Sequence, residues 1–334
     1  PHTHTHTALL SAGKDRPPAV MSNGTDGVAD INATSVSWGD VTCCNDEQWF
    51  FIFTVSFYVV SGFILWHSVL LKPFKLFTVF LHELCHALAA WCCCGTVTGI
   101  EVQLNEGGLT HWSIRQDRMW CARHWVLPAG YLGSTVWGCS ILIGSADPTG
   151  CETMAILVVL ACIVTFFYAA CGKNKDGERL TLMALCFFFG MWLSILTILS
   201  LGNSWKYADL GLEASLLLIA SLNILYASYD IYDDTVRRSD ERSDAFQCAS
   251  MYPCFFPRCV GFVWFLLSFC FVAFAVWMFM AITTKNSGPP VDVHSLGDEG
   301  YAAFIPGPAV FCFAVCLKLA DIFCIKSTFG VNVT

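Results

Sequence analysis

Charge is scarce in this chain. Only 13% of its 334 residues are charged and 55% are hydrophobic, whereas an ordinary soluble domain carries about 25% charged residues. That shortage, with a mean hydropathy of +0.58, excludes a soluble globular protein and implies an integral membrane protein. No basic tract is present, which argues against a nucleic-acid partner; the net charge of −8 is spread over short loops. No fixed-period repeat is found, so a solenoid is excluded. No cleavable signal peptide is read before residue 48.

Cysteine is abundant, with 19 residues, but the pattern of a disulfide framework is lacking. Cys139, Cys162, Cys186, Cys270, Cys312 and Cys316 lie inside apolar runs and read as small, lipid-compatible hydrophobes. Cys43-Cys44 and Cys92-Cys93-Cys94 flank apolar runs and are candidates for S-acylation. The stretch "CASMYPCFFPRC" (248–259) lacks a paired C-x-x-C, which argues against structural zinc. Its Pro253 and Pro257 predict a turn into the next span.

The apolar runs predict an all-α polytopic membrane protein of about seven to eight spans, at about 20 residues each. They fall near 48–70, 74–94, 124–145, 153–171, 180–201, 208–230, 259–282 and 303–325. The organisation is read as a mostly disordered tail over 1–47 and one transmembrane domain over 48–330 with its core at 74–245. Met21 is a candidate start, because residues 1–20 read as a flexible tail or a translated upstream stretch. Lys and Arg concentrate in loops 95–123, 172–179 and 231–258: Arg115, Arg118, Arg123, Lys173, Lys175, Arg179, Arg237, Arg238, Arg242 and Arg258. The opposite loops hold Lys72, Lys75, Lys206 and Lys285. The excess places the first set in the cytosol and, with eight spans, both termini as well. The sequons at Asn23 and Asn32 argue for the reverse.

Against this apolar background stands "FLHELCHALAAW" (80–91). His82 and His86 are four residues apart, so a helix presents both imidazoles on one face. Neutral imidazoles are good zinc ligands. Glu83, one position on, can reach a water at the metal without ligating the metal, which is the position of a general base. Three polar groups in hydrocarbon are costly unless they act together. Zinc needs a third protein ligand. The cluster "SLNILYASYDIYDD" (221–234) ends the sixth span on the side where the second span ends, and Asp230, with Asp233 as alternative, is the candidate. Asn223, two turns earlier, is a candidate for substrate positioning or helix packing.

Between the second and third spans, "GIEVQLNEGGLTHW" (99–112) alternates at Ile100, Val102 and Leu104 and then turns at Asn105-Glu106-Gly107-Gly108. That is a hairpin signal. Its open edge could take an extended substrate segment as an added strand, which makes Ile100, Val102 and Leu104 candidate substrate contacts. In "AGYLGSTVWG" (129–138), Gly130, Ser134 and Gly138 are spaced by four, with Ala129 and Gly133 beside them. Small residues at that spacing predict close packing against the histidine helix. His67, His111 and His124 read as interfacial or packing residues.

These segments, with "LPAGYLGSTVWG" and "NILYASYDIYDD" followed by "RSDA" (242–245), resemble the site-2-protease superfamily of intramembrane zinc metallopeptidases, in its peptidase M50B-like branch. The likeness spans residues 80–245. It implies a metal-binding helix, a later aspartate ligand, and cleavage of substrate transmembrane helices near the cytosolic face. The Asn-Pro…Leu-Asp-Gly signature of better-known members is absent: Asn223 and Tyr229-Asp230-Ile231 stand there without the proline or glycine. The sequence therefore predicts an intramembrane zinc metalloendopeptidase acting on membrane-protein substrates within the lipid bilayer. The rivals are an inactive relative that binds transmembrane helices and an ion transporter; a transporter would more often show pseudo-symmetric halves, and none is seen.

Overall fold

The computed structural model describes residues 44–105, 107–171, 176–202, 207–237, 241–252 and 256–286. The sequence expectations for the tail before residue 44 and for a span at 303–325 lie outside these residues. The described chain is an all-α bundle with one hairpin. It comprises α1 (Asp46–Ile64), α2 (Lys72–Cys92), β1 (Thr96–Val102), β2 (Gly108–Ser113), α3 (Met119–Gly144), α4 (Pro148–Cys171), α5 (Asp176–Leu201), α6 (Ala208–Tyr232), α7 (Asp244–Ala249) and α8 (Pro257–Asn286). Six of these helices, α1, α3, α4, α5, α6 and α8, are long and apolar enough to cross a membrane. This is the architecture expected from the hydropathy, and the protein is an integral membrane protein. The buried thiols Cys139, Cys162 and Cys186 are free and Pro257 opens α8.

The histidine helix α2 falls outside that set of six, and its burial explains why. Residues Lys75 to Ala87 of α2 are buried without a break, and Phe77, Phe80, Leu81 and Ala87 are almost fully enclosed. A helix covered on all sides by protein can carry polar groups that a lipid-facing helix cannot. Gly133 of α3 makes the close approach possible: a Cβ there would sit 2.7 Å from Cys85 Sγ. Gly138, five residues on and turned toward α6, clears Ile224 there instead, with a Cβ contact of 2.6 Å.

The path through α1 and α2 corrects one expectation. The Asn45 side chain donates to Thr283 O at 3.1 Å, and Gln48 Nε2 donates to Met280 O at 3.1 Å. The start of α1 thus packs on the end of α8. Glu47, Ser145, Asp147, Ser200 and Thr283 line one small cavity there. The N-terminal end of α1 therefore lies with the α3–α4 and α5–α6 connections, opposite the hairpin, and not beside it. The reason is the joint at 65–71. Leu65 and Leu71 pack on Leu222 of α6, and Lys75 stacks over Trp66 at 4.6 Å. The joint is folded into the bundle, so α1 and α2 do not make two full opposed crossings.

The hairpin is antiparallel, pairing Thr96 with Ser113 and Val102 with Gly108, with an irregularity between Val97 and Gly99. Ile100 and Val102 point into the main core, which fixes the hairpin against α2. Tyr168 of α4 donates to Val97 O at 2.7 Å, tying down the other end of β1.

Candidate metal centre

The two imidazoles of α2 meet as the four-residue spacing requires, with His82 Nε2 and His86 Nε2 3.1 Å apart. The carboxylate that faces them belongs to Asp244, at the start of α7. Its Oδ2 lies 3.3 Å from His82 Nε2 and 3.0 Å from His86 Nε2. Among the described residues this is the one group of three or more His, Cys, Asp or Glu side chains gathered closely enough to hold a metal ion.

The triangle has the size of a zinc site. Zinc–nitrogen and zinc–oxygen bonds of about 2.0–2.1 Å at tetrahedral angles place donor atoms about 3.3 Å from one another, and the three observed separations are 3.1, 3.3 and 3.0 Å. The donor set of two nitrogens and one carboxylate oxygen suits zinc. His86 Nδ1 lies 2.7 Å from Val126 O; a carbonyl can only accept, so Nδ1 carries the proton and Nε2 keeps its lone pair for a metal. Gly130 guards the space. A Cβ there would lie 2.4 Å from both Nε2 atoms, on the spot where the donors converge.

Glu83 is 6% exposed and is held by the hairpin. Thr110 Oγ1 donates to Glu83 Oε2 at 2.7 Å and lies 2.9 Å from Glu83 O. Gly108 leaves room for the carboxylate, since a Cβ there would stand 2.3 Å from Oε1. The hairpin thus fixes the glutamate beside the imidazoles, and two hairpin residues, Gly108 and Thr110, have a role that alternation alone does not reveal.

The aspartates expected as third ligand stand elsewhere. Asp230 is half-buried at the end of α6 and is not part of the three-residue group. Asp233, in the π-helical turn Asp233–Arg237, accepts from Arg237 Nη1 at 2.9 Å. Asp234 accepts from the Tyr131 hydroxyl, and the Tyr131 ring meets His82 edge-on at 4.9 Å. The chain passes the site once in α6 and returns to it through α7, so the carboxylate arrives a dozen or so residues later than expected. Ser243 caps α7, and Ala245 and Ala249 seat it against Tyr131, Ile231, Val260 and Trp264.

Of the candidate substrate contacts, Ile100 and Val102 are buried and Leu104 is 61% exposed. Asn223 is fully buried and donates to Ser134 O at 2.6 Å, which ties α6 to α3. The spare histidines are engaged or exposed: His111 pairs with Glu101 at 3.1 Å, His124 bonds Tyr252, and His67 is exposed.

Comparison with known families decides the kinship of this arrangement. A family model described as Peptidase M50B-like matches residues 55–275. The chain belongs to the Peptidase M50B-like family. It is a membrane peptidase of the site-2-protease kind by descent, and the matched stretch contains His82, Glu83, His86 and Asp244 together. No curated protein and no solved structure matches the chain.

Proposed function

We propose that this M50B-like protein is an intramembrane zinc metalloendopeptidase that hydrolyses peptide bonds in or near the transmembrane segments of other membrane proteins. The observation that carries the reading is the largely enclosed triangle of His82, His86 and Asp244 with Glu83 locked beside it. His82 and His86 through Nε2, and Asp244 through Oδ2, would hold the ion. When bound, zinc supplies Lewis acidity toward a carbonyl oxygen and toward water.

Glu83 takes the proton from the attacking water and passes it to the leaving amine. Its carboxylate is oriented by Thr110, and among the described residues no ion pair competes for it. Asp230 and Asp233 are not assigned to the ion. Asn223 acts by bracing α6 on α3. Substrate meets the hairpin at its exposed turn, around Leu104, and along the backbone of Ile100 and Val102. Extended substrate there exposes a carbonyl that a helix would shield.

The site end faces the cytosol in this reading. With Lys72 and Lys75 drawn into the α1–α2 joint, the ten Lys and Arg residues of the site-end loops outnumber Lys206 and Lys285 of the opposite loops.

The test is purified full-length protein in detergent, assayed for zinc and for cleavage of a panel of transmembrane peptides. Wild type is expected to cleave, and Glu83→Gln to keep zinc without cleaving. Zinc-loaded wild type that binds transmembrane peptides and never cuts them would make it an inactive relative.

A further inference from the structure

The end of α2 carries a feature that proteolysis leaves unused. Three thiols in a row, Cys92, Cys93 and Cys94, stand where the helix leaves the bundle, and all are free. Beside them a groove of about 560 Å³ runs between α2 and α3, lined by Ala89, Cys92 and Cys93 of α2 and by α3 residues from His124 to Leu132, with the His124 ring the one polar side chain besides the thiols. On α3 the lining extends from Trp125 to beyond Ala129, about 10 Å at 1.5 Å per residue, and it descends from the thiols into the apolar part of the helix. Trp125 is 68% exposed along its wall. Cys94 adopts a left-handed conformation, φ 60°, as the chain turns into β1, and it does not line the groove; neither does Cys121.

We propose that Cys92 and Cys93 are S-acylated and that the acyl chain lies in this groove. The chemistry is thioester exchange with a long-chain acyl-CoA: the cysteine sulfur bonds to the acyl carbon, the acyl–CoA sulfur bond breaks, and the cysteine proton ends on the CoA thiol. No oxidant or reductant is involved. Two of the groove's own walls are thiols, so an attached chain begins at its mouth and covers its apolar lining without a tether. Juxtamembrane cysteines at a cytosolic face are the class of residue so modified. The proposal rests on the cytosolic placement of the site end given above, and not on proteolysis.

The test uses the full-length protein expressed in eukaryotic cells, with alkynyl palmitate as the probe and hydroxylamine-sensitive mass tagging as the readout. Wild type is expected to carry the label. Cys92→Ser with Cys93→Ser should lose most of it, about five-fold or more, while Cys94→Ser with Cys121→Ser stays labelled as in wild type. Ala129→Phe fills the groove and leaves every thiol in place; its label should fall too. Glu83→Gln should label as wild type, which separates this result from any failure of the protease reading. Unlabelled wild type, or label that survives loss of Cys92 and Cys93, overturns the proposal. Full labelling of Ala129→Phe overturns the seat in the groove. Labelling of Cys94 by a membrane-impermeant maleimide in intact cells overturns the cytosolic placement and the acylation with it.

Discussion

Both ends of the bundle gather acidic residues, yet they differ in what faces the acids. At the end where α1 begins, the Ser200 hydroxyl donates to Asp209 at 2.7 Å and stands 3.2 Å from Glu152, beside a cavity of about 90 Å³ that Glu47, Asp147, Asp209 and Glu213 line. At the hairpin end, Asp244 faces two imidazoles at 3.0 and 3.3 Å. A hydroxyl satisfies a carboxylate but offers no second donor for a metal; two neutral imidazoles with a carboxylate do. A gathering of carboxylates therefore marks a centre only through its partners.

Exchange of the two acids gives the largest expected contrast. Asp244→Ala should abolish zinc binding and all zinc-dependent cleavage, while Asp209→Ala should leave the zinc content at the wild-type level; elemental analysis of both proteins checks this. Next in size is Glu83→Gln, expected to lower cleavage about 10²–10⁴-fold, the range typical of a general base, with zinc retained. Gly130→Ala should reduce zinc occupancy, because its Cβ would enter the space between the two Nε2 atoms; Gly138→Ala, on the face toward α6, should leave occupancy unchanged and act on thermal stability alone. A smaller effect is expected from Thr110→Val. Loss of one hydrogen bond to a charged group, about 1.5–3 kcal/mol, should slow turnover about ten- to a hundredfold with zinc unaltered, as kcat measurements on a fluorogenic transmembrane peptide would show.

The sequence makes some parts of this structure plain and hides others, for physical reasons. Hydropathy reveals α3 to α6 and α8 because lipid contact demands apolar residues over a fixed length. The helical period reveals the meeting of His82 and His86, and alternation with Gly107-Gly108 reveals the hairpin. The α1–α2 joint is hidden, since Trp66 and Leu71 are as apolar as a span while Leu65 and Leu71 turn inward on α6. Asp244 is hidden for the opposite reason. It stands in a polar loop, where an aspartate costs nothing and so signals nothing, whereas Asp230 follows an apolar run and draws attention. The available signal was local: Ser243 caps a short helix whose Ala245 and Ala249, four apart, are small enough to press it on Tyr131.

The most direct test of the account is the metal content of Asp244→Ala and Asp230→Ala, each purified beside wild type. The account predicts zinc in wild type and in Asp230→Ala, and none in Asp244→Ala. Zinc lost from Asp230→Ala and kept in Asp244→Ala would contradict it.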